Sequence, residues 1–212
     1  MTTDVTLTGS GEWIAGSYDE TGASTYKATS SANRLDVALP AGTRSEIRSI
    51  SGGVVVGTWI GTDGISHDIS NQNLITDPGW FPAFTIASLL SSSNSVFTYV
   101  GQETRNGATV LHVMATQQFP TLAGNGGELL QHLTQEDIYL DPSTLLPVAY
   151  AFNAHPDTNA VLDIPVEIRY SNYQTVSGAQ IPFHVQKYIN NSLTLDLQIE
   201  NAALNTGVTI AQ

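Results

Sequence analysis

Three features of the chain predict a mainly β (α+β) fold, a strongly curved antiparallel sheet of about ten strands with one or two short helices on its concave side. The last third alternates apolar and polar residues in three successive runs, the first third is a meander of short Thr-, Val- and Ile-rich segments, and one segment near residue 80 breaks that rhythm. A period of two puts all the apolar side chains of a strand on one face, so consecutive runs of this kind share one apolar surface.

Residues 5–14, 23–27, 34–39, 44–50 and 54–60 read as antiparallel strands separated by Gly, Asp or Pro-Ala-Gly. Gly9-Ser10-Gly11 marks a strand irregularity, Asp19-Glu20-Thr21-Gly22 and Pro40-Ala41-Gly42 read as turns, and Asp63-Gly64 turns into a short strand over 66–69. From Trp80 to Leu90 the apolar residues recur at helical spacing, Pro82 stands where a first turn tolerates it, and Ser91-Ser92-Ser93-Asn94 stops the run, which predicts a helix of about two to three turns. Its apolar residues wrap more than one face, as suits an element covered on two sides.

Residues 96–104 and 108–116 flank Asn106-Gly107, the strongest short hairpin signal in the chain. Ala123-Gly124-Asn125-Gly126-Gly127 reads as a flexible loop, and residues 128–133 as one helical turn. Strands follow at 137–140 and 146–152 around a turn at Asp141-Pro142-Ser143-Thr144. In the last third Ile164, Val166, Ile168 and Tyr170 oppose Pro165, Glu167 and Arg169; Ile181, Phe183 and Val185 oppose Pro182, His184 and Gln186; Leu193, Leu195, Leu197 and Ile199 oppose Thr194, Asp196, Gln198 and Glu200. Asn190-Asn191 makes the tight hairpin between the last two runs. No repeat, charge block or linker interrupts the sequence, so residues 1–212 are expected as one domain.

Charged residues make up 12% of the chain, about half the usual share, and seven Lys and Arg face nineteen carboxylates for a formal charge of -12. So few cations repel a phosphate backbone and supply no basic cluster for anionic lipid, which argues against nucleic acid and against electrostatic membrane binding. The lack of cysteine removes disulfides, thiolate metal sites and a Cys nucleophile together. No apolar stretch is long enough to span a bilayer, and Met1-Thr2-Thr3 leads directly into strand-like sequence, the start expected of a mature or cloned domain from which a signal or lipid-anchor segment is removed.

Over about residues 136–207 an acidic strand leads into Asp141-Pro142-Ser143-Thr144-Leu145-Leu146-Pro147, followed in order by Tyr170-Ser171-Asn172-Tyr173, Gly178-Ala179-Gln180-Ile181-Pro182-Phe183 and Ala203-Leu204-Asn205-Thr206-Gly207. This order of motifs resembles the LolA-like outer-membrane lipoprotein-sorting (lipoprotein carrier) family. Gly11-Glu12-Trp13 and the helix from Trp80 to Leu90 agree in order. The resemblance implies a half-open β-barrel closed by helices over an apolar cavity for acyl chains, in the periplasm or cell envelope. It also implies an early-strand arginine that holds the helical lid shut, for which Arg44 and Arg48 are the positional candidates. The chain departs from the family at its end, Val208-Thr209-Ile210-Ala211-Gln212, where members often carry a Leu followed by a Phe.

His67, His112, His132, His155 and His184 show no metal-ligand spacing and read as scattered surface or strand histidines, so neither metal nor cofactor is expected. Serine is abundant, but no G-x-S-x-G elbow occurs. Asp19-Glu20 and Glu136-Asp137 place adjacent carboxylates on opposite faces of a strand, and solvated turn charges account for both pairs. Asn190-Asn191-Ser192 matches a glycosylation sequon, relevant in a eukaryotic secreted host. Trp13, Trp59, Trp80, Phe81, Phe84, Leu89 and Leu90, with Phe183 of the alternating strands, are either core or the lining of a ligand cavity; in a half-barrel the two overlap.

A curved sheet with one apolar face exposes more than the roughly 300–600 Å² patch of an ordinary monomer unless something covers it. Burying an acyl chain gains about 0.8 kcal/mol per CH₂, enough to hold a long chain without a polar contact. The expected function is therefore a non-enzymatic, extracytoplasmic, monomeric carrier or sensor for an apolar ligand, an acyl chain, a lipid or a lipidated protein. The alternative is an envelope or surface interaction module with a complete core and no ligand.

Overall fold

The computed structural model describes residues 2–119 and 125–210. Its strands are β1 (Asp4–Ala15), β2 (Tyr18–Thr29), β3 (Ala32–Leu39), β4 (Gly42–Ser51), β5 (Val54–Ile60), β6 (Ser66–Asp68), β7 (Ser95–Arg105), β8 (Ala108–Gln117), β9 (Glu136–Leu140), β10 (Pro147–Ala154), β11 (Ile164–Val176), β12 (Ala179–Ile189) and β13 (Ser192–Leu204). The helices are α1 (Asn71–Leu74), α2 (Pro82–Ser91) and α3 (Asn125–Leu133). All thirteen strands belong to one antiparallel sheet in the order β6-β5-β4-β3-β2-β1-β13-β12-β11-β10-β9-β8-β7, so β6 and β7 are its edges. The mainly β class holds, with thirteen strands among the described residues in place of about ten, and a third helix.

Two-residue turns set much of the register. Gly52-Gly53, Asn106-Gly107, Ser177-Gly178 and Asn190-Asn191 all take positive φ at both positions, the geometry whose twist matches the flanking strands. Asp19-Glu20-Thr21-Gly22 is not a turn: those residues lie inside β2, and the reversal comes earlier, between Ala15 and Tyr18 with Gly16 at φ 64°. Gly22 stands where a Cβ would meet the Ala38 carbonyl oxygen at 1.8 Å, so the polar, glycine-ended run is a ladder segment chosen for close approach. The irregularity expected at Gly9-Ser10-Gly11 is a register shift between Thr8 and Gly9 in the β1–β13 pairing. Of the loop expected at 123–127, residues 123–124 lie outside the described residues, and Asn125-Gly126-Gly127 open α3 instead.

The chain divides into two compact units: Met1–Leu74 with Tyr170–Lys187 and Leu193–Gln212, and Ile75–Arg169 with Tyr188–Ser192. In the first unit the core is Val5, Leu7, Tyr26, Leu35, Val37, Ile181, Phe183, Val185, Leu195, Leu197 and Ile199, all buried and all at alternate strand positions. In the second it is Trp80, Phe81, Leu89, Ile138, Tyr150, Val166 and Ile168. The sequence alternation in β11, β12 and β13 therefore marks the core-facing side, as the period of two requires.

Helix α2 begins with Pro82 in its first turn, as its sequence predicts. It buries one face, Pro82, Thr85 and Leu89, whereas Leu90 is 68% exposed. Its apolar circumference is wider than the surface it covers, which corrects the expectation of burial on two sides.

Candidate functional site

In the first unit, cross-strand partners define a row on the core-facing side: Leu7, Tyr26, Leu35, Glu46, Trp59 and His67 lie opposite one another from β1 to β6. Burial fades along it, from 2% exposed at Leu7 to 38% at Trp59. Arg44 and Arg48 share that side, since Arg44 is opposite Val37 and Arg48 opposite Asn33 and Gly57. Ile50 and Val55 continue it and are also exposed. The apolar side of this unit is thus left open towards its β5–β6 edge.

The two candidate arginines have different surroundings. Arg48 Nε pairs with Glu46 Oε1 at 3.0 Å, and its Nη1 donates to the Asn73 carbonyl of α1 at 3.1 Å. Leu74 of the same helix packs over Gly57, where a Cβ would approach its Cδ2 to 2.8 Å. Burial would raise the Glu46 carboxyl, but Arg48 and Lys187 together outweigh it and hold the group below the usual carboxylate range. Arg44 instead lies 4.0 Å from the centre of the Trp13 ring and 5.8 Å from that of Trp59. Trp59 in turn stacks on His67 at 4.1 Å. Arg44 is in register with Gly9 through Ser24 and Val37, four positions from Trp13. In a flat sheet the two Cα atoms would be about 19 Å apart, beyond the reach of the two side chains, so the core-facing side of this unit curls inward.

In the second unit the corresponding row is Tyr99, Val113, Ile138, Tyr150 and Ile168. It runs from 62% exposed at Tyr99 to 0% at Ile168, and Phe97 beside it is 39% exposed. Trp80 and Phe81 are buried against this side, Phe84 meets Phe81 edge to face at 5.0 Å, and Leu89 is buried. The predicted residues therefore gather as Trp13, Trp59, Arg44, Arg48 and Phe183 in one unit and Trp80, Phe81, Phe84 and Leu89 in the other, with Leu90 turned to solvent.

The segment that leads into α2 is tied down by polar groups. Asp77 Oδ1 accepts from the Gly79 backbone N–H at 2.8 Å and the Thr85 hydroxyl at 2.7 Å, and the Tyr150 hydroxyl donates to the Asp77 carbonyl at 3.3 Å. Beneath it Glu136 is only 3% exposed, and its Oε2 has no hydrogen-bond partner among the described residues. Burial pushes this carboxyl up to about 8, the Asp77 charge adds to the rise, and bonds from Tyr150 and the Asp77 backbone oppose it. Reading Glu136-Asp137 as solvated turn charges is thus corrected for both. Glu136 faces the core, and Asp137, on the other face of β9, bonds His112 Nε2 at 2.8 Å.

That other face of the second unit holds a cleft of about 200 Å³ over Ala151, walled by Tyr139, Tyr188, Asp137, Glu167, Arg105 and Asn191. Arg105 lies 3.9 Å over Tyr139, Arg169 lies 3.8 Å over Tyr188, and both arginines pair with Glu167. Both arginines are already paired with Glu167, and a small floor residue among large neighbours accounts for the hollow.

Sequence spacing also missed a chain of side chains on the first unit. Ser171 Oγ is 3.1 Å from His184 Nδ1, and His184 Nε2 is 2.9 Å from Asp196 Oδ1. The residues match a Ser-His-Asp set, but they lie on the side of interior strands away from the core, and the backbone N–H groups of those strands bond neighbouring strands. Acyl transfer needs such donors aimed at the oxyanion. Gln186 and Gln198 also donate to Asp196, which makes the group a polar cross-strand ladder. Among the described residues no group of three or more His, Cys, Asp and Glu has a metal-binding arrangement.

No family model matches the chain, and no curated protein sequence matches it. Solved structures do. An outer membrane lipoprotein-sorting protein domain from Vibrio parahaemolyticus is similar over 98% of this chain and 87% of its own, with a TM-score of 0.57 at 13% identity. The LolA superfamily protein from Nitrosomonas europaea is similar over 96% and 87%, with a TM-score of 0.53 at 9% identity. A DUF1329 family protein from Desulfovibrio piger is similar over 99% and 88%, with a TM-score of 0.50 at 9% identity. At these identities the likeness shows the fold, and the fold is LolA-like. No helix among the described residues is long and apolar enough to cross a membrane.

Proposed function

We propose that the chain is an extracytoplasmic carrier or sensor domain that holds an apolar ligand, an acyl chain or the lipid of a lipidated protein, against the core-facing side of its sheet. One observation carries the reading. In each unit the apolar side is left uncovered at an edge, at Ile50, Val55 and Trp59 in one and at Phe97 and Tyr99 in the other. Side chains of this size exposed together are sites for an apolar partner. The LolA-like fold supports the same reading, since two of its neighbours carry the names of lipoprotein-sorting and LolA proteins. Trp13, Trp59 and Phe183 line the ligand surface in the first unit, and Trp80, Phe81, Phe84, Leu89 and Leu90 form and flank the helical cover in the second.

Arg48 takes the part of the lid-holding arginine, because its guanidinium bonds α1 while Arg44 bonds no helix among the described residues. The domain works as a monomer, and its binding step requires no cofactor.

Titration with a fluorescent long-chain acyl probe, displaced by unlabelled lipid, tests the proposal. Saturable binding is expected, and a signal no greater than that of an unrelated β protein would overturn it. A second reading, an interaction module, draws on the edge strand β7, which exposes Val96, Phe97, Tyr99 and Val100. Concentration-dependent association without probe binding is its signature.

A further inference from the structure

Of the five arginines, four have a carboxylate partner: Arg34 with Asp36, Arg48 with Glu46, and Arg105 and Arg169 with Glu167. Arg44 has none within ion-pair distance among the described residues, in a chain with nineteen carboxylates. Its guanidinium instead lies over the Trp13 ring at 4.0 Å, with the centre of the Trp59 ring 5.8 Å away. Asp63 is near enough to be felt electrostatically, but its Oδ1 is engaged by the Ile65 backbone N–H at 3.0 Å. Burial draws the Arg44 pKa down, with Asp63 offsetting part of the effect, so the charge is partly desolvated without a counter-ion in contact.

A planar guanidinium stacked on aromatic rings is fixed in orientation while its N–H edge stays available, and that edge matches a carboxylate with two parallel hydrogen bonds. The two neighbouring rings are apolar, and Trp59 shares its side of the sheet with the exposed Val55 and Ile50. The geometry points to Arg44 as the head-group site for the carboxylate of a long-chain amphiphile, with Trp13 and Trp59 flanking the first carbons of its tail. This rests on the carrier reading above and narrows the ligand from any apolar molecule to an anionic one. It also gives Arg44 a role distinct from that of Arg48, which stands four positions further along β4 and is tied to α1.

The test compares cis-parinaric acid with its methyl ester, which share a tail and differ only in the charged head. The unmodified protein should bind the acid at least about tenfold more tightly, the size of one charge-assisted bidentate contact. R44Q should abolish that preference while still binding the ester, and R44K should restore it in part, because an ammonium keeps the charge without the fork. Equal affinity for acid and ester in the unmodified protein would overturn the head-group assignment and leave the carrier reading intact. A preference that survives R44Q would also overturn it, and binding of neither probe would overturn both. Should R44Q fail to fold, the acid-to-ester ratio of the unmodified protein decides.

Discussion

Replacing Glu136 with glutamine should stabilise the protein at alkaline pH and leave it nearly unchanged in acid. The carboxyl is held up to about 8 against an ordinary 4.5, so between those values the folded state keeps a proton that the unfolded chain has released. Stability then falls as pH rises, by about 1.4 kcal/mol for each pH unit, because the unfolded state binds fewer protons than the folded one. The contribution is fully present below pH 4.5, is lost progressively up to about 8, and is flat beyond. Over the whole window it amounts to roughly 5 kcal/mol, an upper figure because local rearrangement can hydrate the ionised group. Glutamine keeps the shape and an acceptor for the Asp77 backbone N–H and cannot ionise. Urea unfolding of both proteins from pH 5 to 9 should show curves that meet within about 1 kcal/mol at the acid end. At the alkaline end E136Q should be the more stable by about 3–5 kcal/mol. Parallel profiles would refute the claim that Glu136 is buried and protonated beneath the α2 lead-in.

Three further outcomes test the packing around the site. Phe81→Ala removes a ring that is 2% exposed and should cost about 3–5 kcal/mol by thermal or urea unfolding, whereas a loss below about 1 would mean the helix start is not packed. Gly79→Ala should cost about 2–4 kcal/mol, since φ is +75° and the new Cβ would stand 2.6 Å from Tyr150 Cδ1; unchanged stability would contradict that close approach. Arg48→Gln should speed amide exchange over residues 71–74 by about tenfold or more, through loss of the charged bond to the Asn73 carbonyl, and unaltered exchange there would remove Arg48 from the lid-holding role.

What the sequence discloses depends on whether a property is local. Alternation in β11 to β13, the Asn106-Gly107 and Asn190-Asn191 hairpins and the Pro82 helix are local, and each is found where its residues predict. Register is not local. The stack of Trp13, Arg44 and Trp59 brings together β1, β4 and β5 and depends on the curl of the sheet, so no spacing in the chain announces it. The cross-strand pairs His112 with Asp137 and His184 with Asp196 were equally invisible, because each joins residues of different strands. Glu136 escapes a sequence reading for a further reason: neighbouring carboxylates on a strand point to opposite faces, and nothing in the pair itself says that one of those faces is core.

The carrier reading is tested most directly by extracting the protein, purified without detergent, into organic solvent and measuring the extract by quantitative mass spectrometry. The account predicts a long-chain lipid or fatty acid in near-stoichiometric amount, enriched over a control protein of similar size. A lipid-free extract, from protein that afterwards takes up no acyl probe, would contradict it.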